Sequence, residues 1–259
     1  MKKLNLTILI TAMILSLVGA VNAGMLIPAN ENAKEQAKAP EKSPVISETA
    51  NGDWDLERVD FIHYAKPDNA AASKPAKGAT QTCYKLMGVK WKTAPVNYAI
   101  NPANADGLAE SFVVGVISSA AENWDSQTSV ELFNNTYTID TVAQYGVRDN
   151  KNTIAFGNYS ESNVIGVTSI WFIRSSKQIV EFDMLFNDSF LWGDAAASSL
   201  FMDLENIATH EMGHAVGMND IYSQSCTAVT MYGYSGEGDI EKRTLEPADI
   251  TGIRKIYGL

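Results

Sequence analysis

The stretch Ile207–Asp220 reads IATHEMGHAVGMND, and its spacing carries most of the reading. His210 and His214 lie four residues apart. On a helix this spacing puts both imidazoles on one face, within reach of a single metal ion. Glu211 stands beside them, near enough to polarise a metal-bound water without ligating the metal. Gly217 suits the end of that helix, because glycine enters the left-handed region at little cost. Asp220, three residues on, can return to the ion as a third ligand. Three protein ligands with an open fourth position are what a catalytic zinc site requires. The bland alternative is a helix with exposed His and Glu side chains. Gly217, Asp220 and the downstream Met231 weigh against it.

Working outward, Leu200, Leu204, Ile207 and Ala208 extend the helical spacing and predict a helix over 200–216. Further upstream, Leu108, Phe112, Val116, Ala120 and Trp124 recur every four residues and predict another. Strands are expected at 89–100, 130–133, 153–156, 164–173 and 179–186, separated by turn-prone Asn, Asp and Ser. A last helix is expected from Pro247, a residue well placed in a first turn, through Ile250, Ile253 and Ile256. The order strand, helix, strands, helix, loop, helix gives a mixed α/β or α+β domain over residues 81–259.

The N-terminus reads as an export signal over 1–23. Lys2 and Lys3 precede an apolar run, and Val21-Asn22-Ala23 offers a cleavage site. A retained membrane anchor is the competing reading, although the run is short for a span of about 20 residues. Residues 24–80 are rich in Ala, Lys, Pro, Asn and Glu and read as a low-complexity linker or pro-region. One island, Trp54–Tyr64 (WDLERVDFIHY), interrupts it. It suits a docking segment, the remnant of a pro-region, or a strand added to the main domain, and the sequence does not choose.

The formal net charge of −10 argues against a nucleic-acid partner or attraction to an anionic membrane. Cys83 and Cys226 are the only two cysteines. In an exported chain an even count favours a disulfide, with two free thiols as the alternative.

The motif H-E-x-x-H-x-x-G-x-x-D followed by a methionine resembles the metzincin zinc peptidases, and its surroundings are most similar to matrixins. Thr230-Met231-Tyr232-Gly233 resembles the Met-turn, and Leu245–Ile253 resembles the start of the matrixin C-terminal helix, in which the residue matching Asp249 bonds back toward that turn. Ala121-Glu122-Asn123-Trp124-Asp125 looks like the end of the first matrixin helix. The resemblance covers roughly 90–259 and implies a metzincin-like domain with one catalytic zinc held by His210, His214 and Asp220. Glu211 would be the general base, and the substrate a protein or peptide. Aspartate at the third ligand position, usually histidine in matrixins, is also seen in snapalysin-like metzincins. Val164–Ile170 resembles the edge strand on which an extended substrate pairs, with an internal strand as the alternative. Ile165, Gly166, Val167 and Thr168, with Tyr234, are therefore expected to bind substrate. Calcium is an expected option at Glu181, Asp183, Asn187, Asp188 and Asp194, beside ordinary solvated acidic loops. Two other readings stay open: a non-catalytic extracellular binding module of the same fold, and a third ligand drawn from Glu237, Glu241 or Glu246.

Overall fold

The computed structural model describes residues 45–47, 55–66 and 82–259. The expected export signal and most of the linker lie outside the described residues. In chain order come β1 (Val45–Ser47), β2 (Leu56–Ala65), β3 (Lys85–Leu86), β4 (Ala99–Asn101) and helix α1 (Glu110–Asp125). There follow β5 (Thr138–Ile139), β6 (Thr153–Gly157), β7 (Val164–Ile173), β8 (Gln178–Asn187), β9 (Trp192–Gly193) and β10 (Met202–Asp203). Helix α2 (Leu204–Ala215), β11 (Met218–Asn219), β12 (Tyr234–Ser235) and helix α3 (Pro247–Tyr257) complete the chain.

The main sheet runs β1-β2-β7-β8-β6-β4-β5, with β12 pairing on β2. It is mixed: β7 pairs antiparallel with both β2 and β8, whereas β8, β6, β4 and β5 are parallel. This is an α+β fold. β7 and β8 are almost wholly buried and rich in Val, Ile and Phe, as expected of strands covered on both faces. Val113, Ile117, Ala120 and Trp124 of α1 join Ile207, Ala208 and Met212 of α2 and Ile154, Phe182 and Phe186 of the sheet in one core. Full burial of each large aliphatic or aromatic side chain there contributes about 1.5–3 kcal/mol.

Several boundaries differ from the sequence reading, each for a physical reason. Helix α2 begins at Leu204 rather than 200, because the Asp203 carboxylate accepts the Asn206 amide at 2.8 Å and caps it there. The expected strand at 89–100 forms only at Ala99–Asn101, with single bridges at Lys90 and Val96 upstream. The expected strand at 130–133 is likewise one bridge, Phe133 to Val96. The Asp125 carboxylate takes the Leu132 and Phe133 amides instead, at 2.8 and 3.2 Å. The island left undecided in the sequence is the ten-residue strand β2, joined to β7 along its length. Among the described residues no helix is long and apolar enough to cross a membrane.

Candidate active site

Helix α2 carries His210, Glu211 and His214, all buried. Trp124 of α1 donates its indole N–H to the Thr209 carbonyl at 2.8 Å and so ties the two helices directly behind the motif. Gly213 lies where no side chain fits: a Cβ there would sit 2.3 Å from Met231 Sδ and 2.6 Å from the Trp124 ring. The motif's glycine therefore lets Met231 pack closely against α2 beside Trp124. Gly217 ends the turn at φ +94°, and a Cβ there would also meet the Val89 carbonyl oxygen at 2.5 Å. The chain then runs through β11, which pairs with β3, and delivers Asp220 to the two histidines.

Three donor atoms converge. His210 Nε2 and His214 Nε2 are 3.2 Å apart, and Asp220 Oδ1 lies 3.2 and 3.4 Å from them. The other ring nitrogens face carbonyl oxygens: His210 Nδ1 donates to Thr230 O at 2.7 Å, and His214 Nδ1 to Met218 O at 3.1 Å. A carbonyl only accepts, so both Nδ1 atoms carry the hydrogen and both Nε2 lone pairs point inward. Three lone-pair donors facing one another in a buried space fit a cation, and the His₂-carboxylate set suits zinc. Tyr222 donates to the second Asp220 oxygen at 3.2 Å and fixes the carboxylate's orientation. Burial opposes the Asp220 charge, but the two imidazoles outweigh it and hold the carboxyl well below its usual range. Burial, with Lys242 nearby, pushes His210 down to about 4. His214 feels the same burial, yet Asp220 raises it.

Asp249, at the start of α3, accepts the Thr230 amide at 2.9 Å and the Met231 amide at 3.3 Å, which fixes the turn whose Thr230 carbonyl takes His210 Nδ1. Cys83 and Cys226 form a disulfide that ties the segment before β3 to the loop between Asp220 and Met231.

Glu211 has both oxygens engaged. Thr168 of β7 donates to Oε2 at 2.5 Å, and His63 Nδ1 lies 3.1 Å from Oε1. Burial raises the Glu211 carboxyl to about 7. His63 sits on β2, its ring 4.0 Å from that of His210, while Phe61 stacks on His214 at 4.1 Å. On its far side His63 Nε2 meets Ser235 Oγ at 3.1 Å and the Lys242 ammonium at 3.3 Å. Burial, reinforced by His210 and Lys242, keeps the His63 imidazole neutral. Lys242 is buried too, which lowers it to about 7, and it donates to the carbonyls of Tyr232 and Tyr234.

Ile165, Gly166, Val167 and Thr168 lie on β7, but β7 is not an outer edge. The side expected to take a peptide pairs with β2, Phe61 opposite Thr168, Ile62 opposite Val167 and His63 opposite Gly166. Tyr234 is on β12, opposite Tyr64 of β2.

The expected calcium ligands do not converge. Arg148 and the Asp149 and Asn150 amides hold Glu181, the Gly146 and Thr153 amides hold Asp183, and Arg243 holds Asp194. Among the described residues only two groups gather ligand atoms closely: His210-His214-Asp220, and His63-His210-Glu211. Sequence reading missed His63, Phe61 and Lys242 near the site. One signal was available for His63, which is the only histidine outside the motif.

Fold and site together define the class: an α+β domain with a buried His₂-carboxylate cluster set by one helix and the loop that follows it. Residues 90–258 match the family model for Peptidase_M10, matrixin, and the chain belongs to that family. It is also 41% identical over 76 residues to human matrilysin, a match covering 29% of this chain and 27% of that protein. The chain thus spans about a quarter of the length of the curated relative it matches.

Proposed function

We propose that this protein is a secreted, zinc-dependent endopeptidase. The observation that carries the reading is the convergence of His210 Nε2, His214 Nε2 and Asp220 Oδ1, with Glu211 one residue along the same helix. His210, His214 and Asp220 would hold the metal, and Gly217, Met231 and Asp249 would shape its surroundings. Bound zinc would supply a Lewis acid that polarises the scissile carbonyl and acidifies water.

Glu211 then does the proton work. Its Oε1 takes a proton from the attacking water, and the neutral acid returns it to the departing amine. Burial raises this carboxyl, the direction that lets it hold the water's proton before passing it on. Thr168 keeps Oε2 engaged, so that Oε1 is the oxygen that works. A carboxylate ligand leaves less positive charge on zinc than a third histidine would, giving a weaker Lewis acid. Export of the chain rests on the signal-like sequence of 1–23 and on the extracellular habit of matrixins.

The test is hydrolysis of casein and of a fluorogenic peptide library by the zinc-loaded full chain, with Glu211→Gln as control. The substitution should retain zinc and lower turnover by about 10²–10⁴-fold. Turnover that survives it removes Glu211 from the mechanism. A second reading, a non-catalytic zinc-containing binding module, draws on β2 lying across the site. Stoichiometric zinc without hydrolysis in any form of the chain would favour it.

A further inference from the structure

We propose that the Cys83–Cys226 disulfide is a positioning device for the metal site, so that the site's affinity for zinc depends on whether this bond is closed. The inference rests on the reading of His210, His214 and Asp220 as zinc ligands. Its evidence is the excursion the chain makes between α2 and the turn at Met231.

Four groups on that excursion serve the site. The Met218 carbonyl takes His214 Nδ1 at 3.1 Å, and the Thr230 carbonyl takes His210 Nδ1 at 2.7 Å. Asp220 Oδ1 faces both Nε2 atoms, and Tyr222 donates to Asp220 Oδ2 at 3.2 Å. The third ligand and the backing of both histidines thus travel on one loop. Its ends are held by backbone bonds. Met218 and Asn219 pair with Leu86 and Lys85 in a ladder of two residue pairs, and the Ile221 amide reaches the Met231 carbonyl at 2.8 Å. Between Tyr222 and Thr230 the regular structure is one short 3₁₀ turn, Gln224–Cys226. Ile221, Cys226, Val229 and Tyr232 pack in a small cluster of their own, apart from the main core. Cys226 is where the loop gains a covalent tie, and its partner Cys83 stands two residues before β3. The same short stretch, 83–86, therefore grips the loop on both sides of Asp220, by the ladder at 218–219 and by the disulfide at 226.

An aspartate ligand makes this grip matter. Its side chain is short, so the carboxylate goes where the backbone goes, and a supporting shell about 1 Å too loose is enough to spoil a site. A disulfide kept only for stability limits the unfolded chain and leaves the folded site unchanged. Here the bond closes the loop that carries the ligand. Cys226 is 2% exposed and Cys83 is half-buried, so exchange starts at the Cys83 sulfur. A thiolate attacks Cys83 Sγ, the S–S bond breaks, and Cys226 leaves as a thiolate that takes up a proton. A second thiol then resolves the mixed disulfide. Two thiols become one disulfide while the cysteine pair gains two electrons and two protons.

The experiment measures the zinc affinity of the full-length chain by competition with a chromogenic chelator, with Co²⁺ visible spectra as a second record of the ligand set. Wild type is compared with Cys83→Ser/Cys226→Ser, which opens the bond and adds no thiol ligand. The folded variant should bind zinc about 10–100-fold more weakly, the range for supporting partners of metal ligands. Its Co²⁺ bands should shift as the carboxylate ligand loosens. Ile100→Ala, on β4 three strands from β7, lowers stability without touching the loop and should keep wild-type affinity. By linkage zinc must favour the closed bond by the same factor. In a glutathione buffer, zinc-loaded wild type should therefore open only at an about 10–100-fold more reducing ratio than the zinc-free chain. Equal affinity in the folded double variant, an equal loss in Ile100→Ala, or opening indifferent to zinc overturns the proposal. If serine at 226 unfolds the chain, Cys83→Ala/Cys226→Val restores the apolar packing and decides in the same way. Wild type that binds no zinc would sink the metal reading itself.

Discussion

Two segments press on the same pair of imidazoles, and they are held in opposite ways. Helix α2 is fixed locally and from several directions: Asp203 caps it, Trp124 bonds its Thr209 carbonyl, Met231 fills the space beside Gly213, and Asp249 pins the turn. Strand β2 reaches the histidines through long-range ladders to β7 and β12, a further pairing with β1, and side-chain bonds of Arg58 and Asp60 to Ser169. The candidate ligands sit on an element fixed by its own cap and by neighbouring packing, whereas β2 is placed by pairing with strands remote in sequence. The contrast predicts that substitutions on the α2 side cost metal and local stability, whereas those on β2 act first on the long-range sheet pairing.

The largest effect should come from Asp220→Ala. Outer partners of metal ligands alone are worth about 10–100-fold in affinity, so removing a direct ligand should cost more than about 100-fold. Zinc titration against a competing chelator measures this. An affinity within a few-fold of wild type would pass the third position to another carboxylate, Glu237, Glu241 or Glu246. It would also remove the convergence on which the site is built.

Next is the disulfide. Cys83→Ser together with Cys226→Ser opens a loop with a sequence separation of 143 and should cost about 2–5 kcal/mol in denaturant unfolding. Gly213→Ala should cost less, about 1–3 kcal/mol, because Met231 and Trp124 must give way to the new methyl. Both losses belong to the scaffold side of the comparison. If either variant instead gained peptidase activity while keeping its stability, rigidity of α2 would not be what separates the two regions.

The same contrast explains what the sequence made legible. His210, Glu211 and His214 follow from helical spacing, and Gly217 and Asp220 from the chain's need to turn back. Each is a local rule within fourteen residues. The start of α2 was misjudged because Leu200 fits the helical spacing, while the Asp203 cap overrides it. The place of β2 was undecidable for a deeper reason. Val59, Phe61 and His63 mark a strand with one face to bury, but which edge it joins is set by residues about a hundred positions away. Lys242 was invisible for the same reason: nothing local makes a lysine bury its ammonium among the Tyr232 and Tyr234 carbonyls.

The smallest effect, and the one that most sharpens the scaffold side, is a pH dependence at Asp125. This carboxylate closes α1 just after Trp124 and accepts the Leu132 and Phe133 amides. Burial raises it to about 6, with Glu122 and Glu131 adding to the rise, although the two amides pull the other way. The folded protein therefore holds this proton more tightly than the unfolded chain does. The group's contribution to stability is complete below about pH 4 and is lost as pH rises through about 6. Asp125→Asn keeps a carbonyl for the amides but cannot ionise. Other groups, the metal ligands included, titrate in both proteins and cancel in the difference. The unfolding midpoint of the variant minus that of wild type should thus climb from pH 4 to pH 7 by a few degrees at most. A flat difference would mean that the backbone amides, not burial, dominate at the end of α1, and that the back wall of the site is indifferent to charge.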